Sequence, residues 1–141
     1  MTIDSKKSGN KMADNQWKYV VPVKPELLKQ IEVHFKTTLP SDYKVILPSC
    51  NQGKPSKMRF DIEGRKECVL NYLANLNDVI ATSQGIKQLN FIPIGDDPFG
   101  NLIGFLVDSS GAIIALFFWD HETGALIRVC ESFSDFLKML Y

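Results

Sequence analysis

The sequence contains little cysteine, and the cysteines it has lie far apart. Cys50, Cys68 and Cys130 form no Cys-x-x-Cys pair, which excludes a zinc knuckle and a thioredoxin-like redox motif. An odd number of widely spaced cysteines is typical of buried or half-buried thiols in a reducing compartment. We therefore expect all three to be structural thiols.

Long apolar runs and a targeting segment are also missing. The longest apolar runs cover residues 102–107 and 112–119, whereas a helix needs about 20 apolar residues to cross a bilayer. Residues 1–11 contain no apolar core and no cleavage signal, so they do not resemble a signal peptide. These features predict a cytoplasmic protein with no membrane partner.

Catalytic and phosphate-binding motifs are absent as well. The chain has no Gly-x-Ser-x-Gly sequence, and its glycines lack the Gly-x-Gly-x-x-Gly spacing of a dinucleotide-binding loop. His121 lies between Asp120 and Glu122, and a histidine beside a carboxylate is a candidate general base. Because no serine or cysteine motif supplies a nucleophile for it, we predict a non-enzymatic protein that needs no cofactor.

Basic residues are scarce in the C-terminal third, although the whole chain has no net charge. Residues 92–141 contain 2 Lys and Arg against 7 Asp and Glu, while residues 1–91 contain 14 against 9. Such asymmetry can mark a charged binding surface, unless the fold interleaves the two halves. The basic half has no block of five basic residues and no interleaved aromatics, so we expect no direct nucleic-acid binding.

The acidic residues of this third are concentrated in two short stretches. Asp96 and Asp97 lie in the first, and Asp120 and Glu122 flank His121 in the second. Such side chains can hold a hard cation, but the calcium-binding pattern Asp-x-Asp-x-Asp-Gly is missing. We therefore predict no metal site, and solvated turns or a protein-docking surface remain as the interpretations.

Helix signals occur near both ends of the chain and once between them. Residues 1–15 are polar and lysine-rich, which predicts a flexible tail followed by one folded domain over residues 16–141. Apolar residues at a spacing of three and four, together with caps, predict the helices. They cover residues 25–37, a short segment after Ser41, about 78–87 with Asn77 or Asp78 as the cap, and 132–140 with Ser132 as the cap.

Strand signals fill the remaining chain: residues 58–62, 68–73, 90–94, 102–107, 113–119 and 126–130. This order predicts an α+β single domain, with a mostly antiparallel central sheet, N-terminal helices and a C-terminal closing helix. The runs 102–107 and 112–119 are apolar at nearly every position. Such strands are typical of a sheet centre, so we expect helices to cover both of their faces.

The ordered set of motifs resembles the SUKH superfamily. It begins with Leu39-Pro40-Ser41-Asp42-Tyr43 and Asn51-Gln52-Gly53, and the stretch Phe-Ile-Pro-Ile-Gly-Asp-Asp-Pro-Phe-Gly-Asn follows at residues 91–101. A Trp-Asp-His-Glu-Thr-Gly turn at 119–124 and Ser-Phe-Ser-Asp-Phe-Leu at 132–137 complete it. None of these motifs alone is specific to the superfamily, but their order over roughly residues 24–141 is specific to it.

The resemblance implies a function. The superfamily includes yeast-type cell-wall assembly regulators and many bacterial immunity proteins that neutralise polymorphic toxins. It therefore implies a non-enzymatic immunity protein whose partner is a cognate toxin domain such as a nuclease. We separately expect the domain to be a monomer or weak homodimer. The alternative is a housekeeping regulator or scaffold of the cell-wall assembly type.

The acidic stretches and one nearby aromatic are the candidate partner-binding residues. Aromatic side chains beside acidic loops resemble interface anchors, and both Phe99 and Trp119 stand in such a position. Each could instead complete the core. The predicted binding residues are Asp96, Asp97, Phe99, Asp120, His121 and Glu122.

Overall fold

The computed structural model describes residues 15–86 and 90–141. The predicted tail, residues 1–15, lies outside these ranges except for Asn15. Asn15 is buried, and its side-chain oxygen accepts hydrogen bonds from Ser56 Oγ (3.1 Å) and Lys57 N (2.9 Å). Its amide group donates to the carbonyl of Lys57 (2.9 Å), so Asn15 is held against the body of the fold.

The helices form near the predicted positions. Ser132 is the N-cap of the last helix, because its hydroxyl accepts a hydrogen bond from Asp135 N (3.1 Å). The first helix ends at Phe35, since Lys36 adopts a left-handed conformation with φ of 54°. The α-helices are α1 (Pro25–Phe35), α2 (Ser41–Ile46), α3 (Val79–Ser83) and α4 (Phe133–Met139), with 3-10 turns at Leu47–Ser49 and Leu76–Asp78.

Helix α3 is shorter than the predicted 78–87, and residue 87 lies outside the described ranges. Of the two predicted caps, Asp78 occupies the N-cap position of α3, but its side chain makes no capping hydrogen bond. The Asn75 side chain accepts the hydrogen bond from Asn77 N (2.9 Å) and so begins the 3-10 turn before α3. Asparagine favours such local turns over helix interiors, and several polar candidates in succession left the cap ambiguous in the sequence.

The described strands pair into three antiparallel sheets. β1 pairs with β2, β3 pairs with β4, and β5 to β9 form a five-stranded sheet in sequence order. The predicted strand 68–73 is two strands, because the chain leaves the β3–β4 hairpin and joins the large sheet. The strands are β1 (Trp17–Lys18), β2 (Lys54–Pro55), β3 (Arg59–Ile62), β4 (Arg65–Val69), β5 (Tyr72–Leu73), β6 (Phe91–Asp96), β7 (Leu102–Val107), β8 (Ile113–Trp119) and β9 (Leu126–Cys130).

The large sheet carries the core on one face. Ile103 and Phe105 of β7 pair with Phe118 and Leu116 of β8, and all four are buried on this face. The helices pack against it: the Tyr43 ring of α2 meets the Phe105 ring edge-on at 5.3 Å between centroids. Buried residues of α1 and α4 join the same cluster. The α+β architecture is thus the one that the sequence predicts.

The opposite face of the sheet, here the outer face, is only partly covered. Leu102 and Leu106 of β7, with Phe117 and Trp119 of β8, alternate with the core residues and are half-buried. The expectation that helices cover both faces of these strands is therefore wrong, although their central place in the sheet is confirmed. Continuous apolar runs do not distinguish a covered face from one that is partly exposed.

Candidate functional site

The two acidic stretches meet at one end of the large sheet. The register pairs Asp96 with Leu102 and Leu102 with Trp119, so the 97–101 loop lies beside the 120–125 loop. Asn101 joins them: its side-chain oxygen accepts hydrogen bonds from His121 N (3.0 Å) and from His121 Nδ1 (2.8 Å). The meander topology thus brings the candidate residues together, as tight antiparallel connections require.

Asp97 holds the 97–101 loop in shape. One carboxylate oxygen accepts hydrogen bonds from Phe99 N (2.9 Å) and Asn101 N (2.8 Å), and the other accepts from Asn101 Nδ2 (2.8 Å). The residue is 7% exposed. Gly100 supplies the positive φ of 93° that the turn needs. The Asp97 carboxylate therefore serves its own loop rather than the surface.

Asp120 does the same for the 120–125 loop. It is 5% exposed, and one oxygen accepts hydrogen bonds from Glu122 N (2.8 Å) and Thr123 N (3.3 Å). The other oxygen forms an ion pair with Arg65, whose guanidinium lies 5.0 Å from the centre of the Phe118 ring. The Arg65 hydrogen bond and the loop amides hold the pKa of Asp120 below its ordinary value.

Phe99 is a strongly exposed aromatic residue of this region. Its backbone nitrogen is fixed by Asp97, while its side chain is 73% exposed at the tip of the 97–101 loop. The alternative that the ring completes the core is therefore wrong. Trp119 differs from it, because its side chain is half-buried on the outer face between Leu102 and Leu126.

His121 and Glu122 lie at the surface of the 120–125 loop. The ring nitrogen of His121 contacts an amide oxygen of Asn101, not a carboxylate, so the described residues form no histidine–carboxylate pair there. Burial raises the pKa of the Cys50 and Cys130 thiols to about 12, which keeps both protonated and unreactive.

Asp96 has a different environment from the other three carboxylates. It is half-buried at the end of β6, and one oxygen accepts a hydrogen bond from Tyr72 N (3.2 Å). Burial, with a contribution from the neighbouring Asp97 charge, raises the pKa of Asp96 above its ordinary value. Asp96 thus accepts fewer hydrogen bonds than Asp97 and Asp120 do.

A pocket beside Asp96 was not predicted from the sequence. It has a volume of about 330 Å³ and lies between α3 and the β5–β6 edge of the large sheet. Its lining comes from segments distant in the chain, from Gln52 to Leu102, so no local motif indicates it. The walls come together because β5 pairs with β6 in the large sheet. The prediction of one continuous strand over residues 68–73 did not show this pairing.

Metal-binding and membrane-spanning features are absent from the described ranges. In residues 15–86 and 90–141, His, Cys, Asp and Glu form no group of three that could hold a metal ion. None of the helices there has the length and apolarity that a membrane span requires.

Comparison with known proteins gives one finding and one absence. A family model described as SMI1-KNR4 cell-wall, of the SUKH group, matches residues 25–137. The matched range begins at α1 and reaches into α4, so it contains both loops and the pocket. The comparison with curated proteins gives no match.

Proposed function

Since this chain belongs to the SUKH superfamily, we propose that it is a non-enzymatic immunity protein that binds and neutralises a cognate bacterial toxin. Membership of this superfamily is consistent with either a toxin-immunity role or a cell-wall-related role of the chain. The surface at the loop end of the large sheet favours the first, because it has the features of a protein-docking site.

The exposed ring of Phe99 carries the proposal. The Phe99 side chain is 73% exposed, so most of its apolar surface gains no stabilisation from burial. Its loop is nevertheless fixed by three hydrogen bonds that Phe99 N, Asn101 N and Asn101 Nδ2 donate to Asp97. Large aromatic side chains on a rigid support are typical interface anchors. A loop already held in its bound shape also loses less entropy on association.

The neighbouring charges give the surface its chemical preference. Glu122 is exposed in the 120–125 loop, and Asp96 is half-buried directly before the loop that carries Phe99. Asp97 places negative charge just beneath the surface, whereas the charge of Asp120 is balanced by Arg65. Such a surface suits a basic partner, and charge complementarity raises the association rate and the specificity of binding. A nuclease that grips the phosphate backbone has a surface of this kind.

In this proposal the six predicted residues have two different tasks. Phe99, His121 and Glu122 contact the toxin, and Asp96 contributes charge beside them. Asp97 and Asp120 are positioning residues, because their oxygens are occupied by the loop amides, Asn101 and Arg65. Occlusion of a toxin needs no chemistry from this surface, only an interface of roughly 1,600 Å².

The test uses a toxin domain encoded beside this chain. The two purified proteins should form a stable complex, and co-expression of this chain should protect cells from the toxin. The matched control is Val45→Ala, because Val45 is an apolar residue of α2 that is 77% exposed and distant in the sequence from both loops. The control variant should bind and protect as the parent does.

The cell-wall regulator remains the second candidate because the matching family model is described by that role. It predicts a different outcome: no neighbouring toxin would bind, and loss of the gene would alter the cell envelope without any toxin present. That result would overturn the immunity proposal.

A further inference from the structure

The pocket between α3 and the β5–β6 edge joins apolar walls to acidic groups. Pro93, Leu102 and Val79 supply apolar surface, while Asp78 and Asp96 supply carboxylates from two different segments. Its volume of about 330 Å³ is at the lower end of the range of small-molecule sites. It is thus large enough for one long side chain or a small molecule.

The pocket adjoins the proposed docking surface. Asp96 and Leu102 are paired in the sheet, and they stand immediately before and after the loop that carries Phe99. A protein that contacts the Phe99 ring therefore has the pocket within reach of the same interface. This continuity indicates a macromolecular ligand rather than a free metabolite.

The acidic groups of the pocket are only partly compensated by nearby cations of the chain. Among the described residues, no Lys, Arg or His forms an ion pair with Asp78 or Asp96. The nearest candidate, Lys54, donates to Asn71 Oδ1 (2.9 Å), and its ammonium lies 5.0 Å from the centre of the Tyr72 ring. Lys54 and the Tyr72 amide favour the charged form of Asp96, but burial outweighs them and still raises its pKa, so a bound cation would relieve the remaining cost.

We infer that this pocket receives an arginine side chain of the partner protein. The guanidinium would pair with Asp96 and Asp78, and a planar guanidinium is the group best suited to a carboxylate. The aliphatic stem of the arginine would pack on Pro93 and Leu102, as long charged side chains do on apolar surface. The inference rests on the proposed function, since it names one chemical feature of the partner that the Phe99 surface binds.

The test uses a small probe and does not need the toxin. N-acetyl-arginine methylamide is titrated into the ¹⁵N-labelled protein, and N-acetyl-citrulline methylamide serves as the uncharged control of the same shape. The arginine probe should shift the amide signals of Tyr72, Thr82 and Asp96, which line the pocket. It should bind at least about tenfold more tightly than the citrulline probe, because hydrogen bonds to a charged partner are the stronger ones.

Two variants then locate the charge. Asp96→Asn keeps an oxygen for the Tyr72 amide, and Asp78→Asn alters an exposed residue, so each should give a folded protein whose probe-induced shifts are reduced. Glu63→Gln removes one exposed carboxylate from the β3–β4 turn and should leave the shifts unchanged. Equal binding of the two probes, no shifts in the pocket, or full shifts in both Asp variants would overturn the inference.

The outcome is separable from that of the proposed function. If the toxin binds through Phe99 but the arginine probe does not shift the pocket, the pocket assignment is wrong and the docking surface stands. If the probe binds but no neighbouring toxin does, the pocket recognises cations and the immunity proposal is wrong.

Discussion

At the scale of single residues, neighbouring carboxylates in this chain have unlike tasks. Asp97 and Asp120 are buried and stabilise their loops, whereas Glu122 is exposed and Asp96 lines a pocket. All four were predicted from the sequence to belong to one acidic surface, because a sequence shows the charge of a residue but not its hydrogen-bond partners. Two of the four therefore support the surface from below.

Phe99 and Phe105 give the first prediction, because one ring is 73% exposed and the other is 1% exposed. Phe99→Ala should change the free energy of unfolding by less than about 0.5 kcal/mol, as surface substitutions usually do. Phe105→Ala should lower it by about 3–5 kcal/mol, because the core loses a buried ring. Urea denaturation of both variants checks this, and a comparable loss in the two would contradict the exposed position of Phe99.

Asp120 gives the second prediction, which concerns pH. Its folded-state pKa is lowered by Arg65 and the loop amides, so its contribution to stability is present above the unfolded pKa of about 3.9. That contribution is lost as the pH falls through the folded pKa. Asp120→Asn should lower the melting temperature by several degrees at pH 7, and the difference from the parent should shrink toward pH 3.

The control for this experiment is Glu122→Gln, which alters an exposed carboxylate of the same loop. Thermal unfolding followed by circular dichroism between pH 3 and pH 7 measures both variants. A melting temperature of Asp120→Asn equal to that of the parent at pH 7 would show that the ion pair with Arg65 does not stabilise the fold.

At the scale of elements, strands that are bounded by turns were predicted best. The bounds of β7, β8 and β9 agree with the sequence prediction because Gly, Ser, Asp and Thr turns limit each apolar run. The short helix α3 and the two-residue strand β5 were not predicted correctly. Such short elements exist through tertiary contacts, and their own sequences favour them only weakly.

The close approach of β6 and β7 gives the third prediction. A Cβ atom added at Gly104 would lie 2.3 Å from the Ile92 carbonyl oxygen and 2.6 Å from the Phe91 ring. Gly104→Ala should therefore force the strands apart and lower the free energy of unfolding by about 1–3 kcal/mol or more. Gly85→Ala is the control, since its nearest contact would be an ordinary 3.5 Å. Equal unfolding midpoints for the two variants would contradict this packing.

At the scale of the whole molecule, the charge asymmetry of the sequence survives folding in part, because Arg65 of the basic part pairs with Asp120 of the acidic part. The four longest strands of the large sheet all come from residues 91–130, which belong to the acidic part of the chain. The two acidic loops consequently share one end of one sheet. The strand order predicted from the sequence is compatible with this meeting of loops, but it did not indicate the pocket, which forms between distant segments.

The binding kinetics of the neighbouring toxin with immobilised variants of this chain test the central claim most directly. Phe99→Ala should raise the dissociation rate at least about tenfold, since loss of an anchor acts mainly on dissociation. Asp96→Lys combined with Glu122→Lys should instead slow association, most strongly at low salt, while Val45→Ala leaves both rates unchanged. Toxin binding in which all three variants match the parent would contradict the claim that the loop end of the sheet is the docking surface.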